Sequence, residues 1–231
     1  ASRALNPGFF ARHERGTPWV RLKLAASLDG RLAAADGNSG WITGPAARAD
    51  VQQWRARASA VVTGSATVRA DDPALNLRLD GAVRQPRRVI LSRGFDLEPA
   101  ARTFALPGTV TVVGCSDTPA RTELDHAGIE TRLLPRSHDG VDSHALLDWL
   151  AQQECNELHL ECGPTLAGAW LGAGLVDELV LYQASVLLGD RGVPLARLPG
   201  LEAMSHRLHM TTIDERRFGT DRRLILRPRD G

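Results

Sequence analysis

Of the 28 basic residues in this chain, only Lys23 is a lysine, and all the others are arginines. Lys23 sits between Leu22 and Leu24 in an alternating, mostly apolar run. A lysine ammonium can give up its proton when desolvated, whereas a guanidinium effectively cannot. A chain that uses arginine throughout and keeps one lysine inside a strand points to a site that needs an ammonium; the plain alternative is chance retention. The turn that follows adds Asp29, Ser39 and Trp41. The second candidate is Glu161, at the end of the apolar run Glu157 to Leu160, where a carboxylate is costly unless paired or used. An ammonium and a carboxylate are groups suited to proton transfer.

Two further stretches have the composition of binding loops. Gly163-Pro164-Thr165 opens a helix after Glu161-Cys162: Gly163 allows close backbone approach, Pro164 presets the first helical residue, and Thr165 adds a hydroxyl. The free N–H groups of such a helix start suit a phosphate, although an ordinary strand-to-helix turn reads the same way. Asp71 to Arg78, DDPALNLR, is a polar turn in which Pro73 biases Asp72 toward extended geometry. Arg78 and Arg55 have the forked donors to converge on a phosphate; a solvated surface loop is the alternative.

Other chemistries find no signature. There is no G-x-G-x-x-G after a strand and no G-x-x-x-x-G-K-[ST]. His159-Leu160-Glu161 matches the H-x-E of zinc deaminases, but the P-C-x-x-C half is missing, and no metal site is expected. Cys115, Cys155 and Cys162 form no C-x-x-C pair, so they read as reduced thiols in a cytoplasmic protein. The net charge of +1 gives no reason to expect a nucleic-acid partner. No apolar run reaches the roughly 20 residues that span a membrane, and the first residues lack the apolar core of a signal peptide.

The elements that must position these groups alternate. Residues 1–17 read as a linker or arm, and 18–231 as one domain. Strands are expected at Val20 to Ser27, Ser59 to Gly64, Arg87 to Leu91, Gly108 to Val113, Ile129 to Leu134, Glu157 to Leu160 and Glu178 to Ala184. Helices are expected at Ala46 to Arg57 behind Pro45, from Ser143 as N-cap to Gln153, and from Gly163 to Leu171. The tail, His206 to Ile213 and Arg222 to Arg227 joined through Gly219, reads as an antiparallel pair. This pattern is α/β: a mostly parallel sheet flanked by helices, with an antiparallel C-terminal edge. Ligands of such sheets bind at the carboxyl ends of strands. That rule would collect Ser27 to Asp29, Gly64 to Thr67, Ser92-Arg93, Cys115-Ser116 and Glu161 to Thr165 on one rim.

PWVRLKLAASLDGR, SGWIT, TGSATVRADDPALNLR and ECGPTLAGAWLGAGLVDEL, in that order, resemble the reductase domain of the bifunctional riboflavin-biosynthesis deaminase/reductase. Asn6 to Phe10 resembles the segment joining the two domains of that family. The resemblance implies a dihydrofolate-reductase-like fold, usually a homodimer, with NADPH as cofactor. The implied substrate is 5-amino-6-(5-phosphoribosylamino)uracil, reduced to the ribitylamino compound. By position, Lys23 and Glu161 would be catalytic, and Ser39, Arg55, Leu75, Arg78 and Glu161 would line the substrate. Ala25, Trp41, Thr67, Asp71, Ser92, Gly163, Pro164, Thr165, Leu166, Ala167, Gly168 and Ala169 would line the cofactor. Arg93, beside Ser92 at a strand end, is the expected donor to a 2′-phosphate. A fused or separate deaminase domain is the implied partner. The rival readings are a reductase of another heterocycle, such as a pterin, on the same fold, and a non-catalytic dimerisation module. Residues 96–142 match the family's pattern poorly, and no site residue is carried over onto them from the resemblance.

Overall fold

Helices and strands alternate along the chain in the computed structural model, which describes residues 2–37, 40, 42–81, 84–138 and 140–229. In chain order they are α1 (Ser2–Leu5), α2 (Pro7–Arg15), β1 (Trp19–Ala26), β2 (Arg31–Ala33), α3 (Pro45–Arg57), β3 (Ala60–Gly64), α4 (Ser65–Asp71), β4 (Arg87–Leu91), α5 (Arg102–Ala105), β5 (Val110–Gly114), α6 (Pro119–His126), β6 (Glu130–Leu133), β7 (Arg136–Ser137), β8 (Gly140–Val141), α7 (Ser143–Gln152), β9 (Glu157–Glu161), α8 (Pro164–Gly172), β10 (Glu178–Gln183), β11 (Val193–Pro194), β12 (Met210–Phe218) and β13 (Asp221–Pro228). They form two units, Ala1–Trp19 with Trp54–Leu160, and Val20–Gln53 with Glu161–Gly231.

The first unit is built on parallel strands in the order β9-β3-β4-β5-β6. The apolar, β-branched runs of β3, β4 and β5 suit strands covered on both faces, whereas β6 is polar and largely exposed. Ile90 and Val112 pair in register and pack with Val68, Phe95, Leu97 and Leu124 in one buried cluster. Each such side chain contributes about 1.5–3 kcal/mol on burial. The segment read as an arm is helical. Gly8 of α2 lies so close to Asn156 and Glu157 that any Cβ there would overlap the Asn156 backbone. α7 starts one residue differently from expectation. Asp142, not Ser143, is the N-cap, its carboxylate accepting from the N–H groups of His144 (2.8 Å) and Ala145 (3.0 Å). Both residue types cap well, but the anion also meets the positive end of the helix.

The second unit orders its strands β12-β13-β10-β1. β1 and β10 are parallel, while β10–β13 and β12–β13 are antiparallel, the last pair turning at Gly219 with φ +66°. This is the mostly parallel arrangement with an antiparallel end that the sequence implies. Val20, Leu22, Leu24 and Ala26 are buried on one face of β1. On the other face Arg21 is 1% exposed and donates to Glu178 at 2.8 Å, and Arg227 donates to the same carboxylate at 3.1 Å. The short strands β2 and β11 pair separately.

Arg88, 1% exposed on β4, holds the loop before β5. Its guanidinium donates to the carbonyls of Thr103 (2.5 Å), Leu106 (2.7 Å), Pro107 (2.8 Å) and Gly108 (3.0 Å). Burial pulls its pKa below the usual guanidinium value. Arg88→Met leaves four carbonyls without their donor. It is expected to cost about 3 kcal/mol, lowering the melting temperature by about 6–12 °C for a chain of this size. Urea unfolding of the two proteins measures it, and a loss below about 1 kcal/mol would show that water replaces the clamp.

Candidate functional site

β1 brings Lys23 and Ala25 to the same face as Arg21, because side chains alternate along a strand. Both are half-buried. In the β10 register Lys23 lies beside Val180 and Ala25 beside Tyr182. The Lys23 Nζ is 6.0 Å from the centre of the Tyr182 ring. Immediately after β1 the chain turns sharply, and Asp29 explains how. The Ser27 hydroxyl donates to it at 2.5 Å, and the N–H groups of Leu188 (3.1 Å) and Gly189 (2.8 Å) donate to its carboxylate. These bonds, the Ser27 hydroxyl first, hold the Asp29 pKa down at about 2. The Asp29-Gly30 turn therefore anchors the loop after β10.

Glu161, also half-buried, ends β9. The thiol of Cys162 is pushed up by desolvation and then by the Glu161 charge, which favours the protonated thiol. Gly163 is the N-cap of α8 in extended geometry, with Pro164 at the helix start. A Cβ at Gly163 would meet nothing within 4 Å, so there is room above this backbone. Ala167 and Gly168 face the other way. Gly168 is buried, and a Cβ there would stand 1.8 Å from the Arg197 carbonyl, while the Arg197 N–H donates to Pro164 at 2.9 Å. Gly168 is thus required by the close approach of the Arg197 backbone to α8.

The first unit carries the other candidates. Thr67 and Asp71 lie on α4, which follows directly from the carboxyl end of β3, and Ser92-Arg93 follow the end of β4. Gly64 pairs with Leu91 and Leu91 with Val113, so these ends and Cys115 share one edge of this unit's sheet. The Ser92 hydroxyl, on a residue 1% exposed, donates to Asp96 at 2.5 Å. Arg93 is exposed, and its carbonyl accepts from the N–H groups of Cys115 and Ser116.

Asp72 departs from the extended geometry expected before Pro73. It is left-handed at φ +39°, because its N–H closes α4 on the Val68 carbonyl and its carboxylate takes the Arg102 N–H at 2.8 Å. Leu75 is also left-handed, φ +53°, and only 2% exposed. A buried, non-glycine residue in this region is strained and is kept there by its surroundings. Two contacts do so. Arg55 Nη1 donates to the Asn76 carbonyl at 3.0 Å, and the Gln85 amide pairs with both the N–H and the carbonyl of Leu77. Arg78, in the same segment, is exposed.

The structure therefore places Lys23, Ala25, Glu161 and Gly163 to Ala169 in the second unit, and Arg55, Thr67, Asp71, Leu75, Arg78, Ser92 and Arg93 in the first. Ser39 and Trp41 lie outside the described residues. Among the described residues no group of His, Cys, Asp and Glu could hold a metal ion, and no helix is long and apolar enough to cross a membrane. The sequence reading missed Asp50, Tyr182 and Arg223. The Tyr182 hydroxyl donates to Asp50 at 2.5 Å, and Arg223 donates to Asp50 and Asp214 at 2.7 Å each.

The family model for the RibD C-terminal domain matches residues 18–222. The chain belongs to that family. Among relatives, the riboflavin biosynthesis protein RibD of Escherichia coli is 41% identical over 233 residues, covering 94% of this chain and 62% of that protein. RibD of Haemophilus influenzae is 37% identical, with 97% and 62% covered. The structure of Acinetobacter baumannii RibD superposes with a TM-score of 0.89 at 39% identity, over 99% of this chain and 63% of that one. A diaminohydroxyphosphoribosylaminopyrimidine deaminase/5-amino-6-(5-phosphoribosylamino)uracil reductase from Thermotoga maritima gives 0.82 at 26% identity, over 98% of this chain and 61% of that one. The chain thus spans somewhat over three-fifths of the length of these RibD proteins.

The Asp29 staple has a definite acid limit. Its folded pKa, about 2, lies below its ordinary value of 3.8. The stabilisation is therefore complete above the ordinary value and is lost as pH falls through the folded one. Amide exchange at Leu188 and Gly189 is expected to stay protected at pH 5 and to open toward pH 2, relative to strands of the same unit. Asp29→Asn should be open at both; equal protection in the variant would remove Asp29 from this role.

Proposed function

We propose that this chain is the reductase part of a riboflavin-biosynthesis RibD protein. In this reading it reduces the ribosyl group of 5-amino-6-(5-phosphoribosylamino)uracil to the ribitylamino product. The observation that carries the reading is family membership over residues 18–222 in a chain that has Lys23 and Glu161 in one unit with the open Gly163 turn. The cofactor is NADPH, which supplies hydride when bound. The residues present fit it: among the described residues no side chain caps the first turn of α8, there is space above Gly163, and the turn is the positive end of a nine-residue helix. Ala25, Thr67, Asp71 and Ser92 are further cofactor positions, with Trp41 among the residues beyond the described ones.

Lys23 and Glu161 supply the proton chemistry. The Lys23 ammonium assists opening of the ribosylamine ring by protonating its oxygen, and Glu161 holds a substrate hydroxyl. Arg55, Arg78, Leu75 and Ser39 line the substrate, the two guanidiniums serving its phosphate. The working protein is a cytoplasmic homodimer, and a deaminase domain accounts for the additional length of the RibD relatives.

Two outcomes test this. The protein should oxidise NADPH with freshly deaminated substrate and fail on the dephosphorylated compound; turnover of a pterin instead would point to another reductase. Lys23→Arg should fold and bind NADPH, yet lose about 10²–10⁴-fold in kcat, because it keeps charge without a transferable proton. Near-normal kcat would reduce Lys23 to a positioning charge.

Arg93 is tested by cofactor preference. Arg93→Ala is expected to weaken NADPH and leave NADH unchanged in KM. An unaltered preference would take Arg93 out of the cofactor site.

A further inference from the structure

Tyr182 is fully buried, and its hydroxyl end is fixed. On one side its hydroxyl donates to Asp50 of α3 at 2.5 Å. The same carboxylate oxygen accepts from Arg223 of β13 at 2.7 Å, and Arg223 in turn donates to Asp214 of β12 at 2.7 Å. Arg223 lies 5.3 Å from the centre of the Phe218 ring, and the Phe218 ring is 6.3 Å from that of Tyr182, tilted by 57°. On the other side is Lys23, its Nζ 6.0 Å from the ring centre, at the outer reach of a cation–π contact. The register explains the meeting. Tyr182 sits beside Ala25, one step along the shared face from Lys23, and diagonal neighbours on a sheet lie within reach of a long side chain and an aromatic ring.

We propose that Tyr182 is a positioning residue for Lys23, its ring holding the lysine side chain in place as an ammonium ion. The inference rests on the reading of Lys23 as a catalytic residue. The physical argument has two parts. A ring face attracts a cation and not a neutral amine, so the contact favours the protonated side chain, the form that donates a proton. Donation of the phenol proton toward a carboxylate enriches the ring in electrons, which strengthens that attraction, and it removes the ring's freedom to turn away. A buried tyrosine needs a hydroxyl partner in any case; what sets this one apart is the lone lysine at its face.

The single lysine makes the contact directly observable. Protein labelled with ¹³C,¹⁵N-lysine gives one set of side-chain signals, all from Lys23. Its Hε resonance is expected to carry a ring-current shift that Tyr182→Leu abolishes and Tyr182→Phe retains in part. In turnover, Tyr182→Leu is expected to lower kcat by about 2- to 30-fold, the range such a contact supports, with KM for NADPH and for substrate unchanged. Tyr182→Phe should fall between the two. Melting temperatures establish that each variant is folded, and if Tyr182→Leu does not fold, Tyr182→Phe decides. A folded variant with an unmoved Lys23 signal, a kcat equal to wild type, or a loss confined to KM overturns the proposal. Lys23→Met, assayed in parallel, separates the two readings: undiminished turnover there refutes the role of Lys23 itself, whatever the resonance shows.

Discussion

Asp50 accepts hydrogen bonds from Tyr182 and Arg223, and that one carboxylate ties α3 to two strands of the second unit. Charge against a sheet face is costly unless each group finds an opposite one and its remaining hydrogen bonds. Arg21, Glu178 and Arg227 meet the same requirement a few residues along the same face. Taken together, these pairs leave little freedom in where α3 and the tail strands sit, and Lys23 lies between them. The geometry around the lysine follows from the need to neutralise its neighbours.

Lys23 and Glu161 were legible in the sequence because each is the wrong residue type for its place, a charge in or at the end of an apolar strand. The open turn at Gly163 was legible for a similar reason, the Gly-Pro junction after a strand. The network behind Lys23 was not. Its members are separated by 132 residues for Tyr182 and Asp50 and by 173 for Arg223 and Asp50, and nothing local marks such pairs. Strand order in each unit is likewise a long-range property, whereas the strands themselves follow from their apolar runs.

The missed local elements have local explanations. α6 is mostly polar and contributes one buried side chain, Leu124, so its periodicity is faint. α1 and α2 are short, and α2 owes its place to the close approach of Gly8 to the Asn156 backbone. At Asp72 a general preference before proline lost to specific hydrogen bonds at the end of α4. At Ser143 two good caps stood side by side, and the anionic one won.

Among the hydrogen bonds described, Arg88 donates to neutral carbonyls alone, whereas Arg21 and Arg223 of the second unit donate to carboxylates. A clamp on carbonyls has no carboxylate to protonate and no exposed ion pair for salt to screen. Asp214 is different: Arg223 holds its carboxyl below the ordinary range, so that contribution is present at neutral pH and is lost in acid. The loop before β5 is therefore fastened by an interaction indifferent to ionic strength and acidity, whereas the Arg223–Asp214 strut depends on the ionised carboxylate. Acid therefore reaches the two fastenings differently: protonation of Asp214 removes a strut beside Arg223, while the Arg88 clamp has no acidic partner to lose.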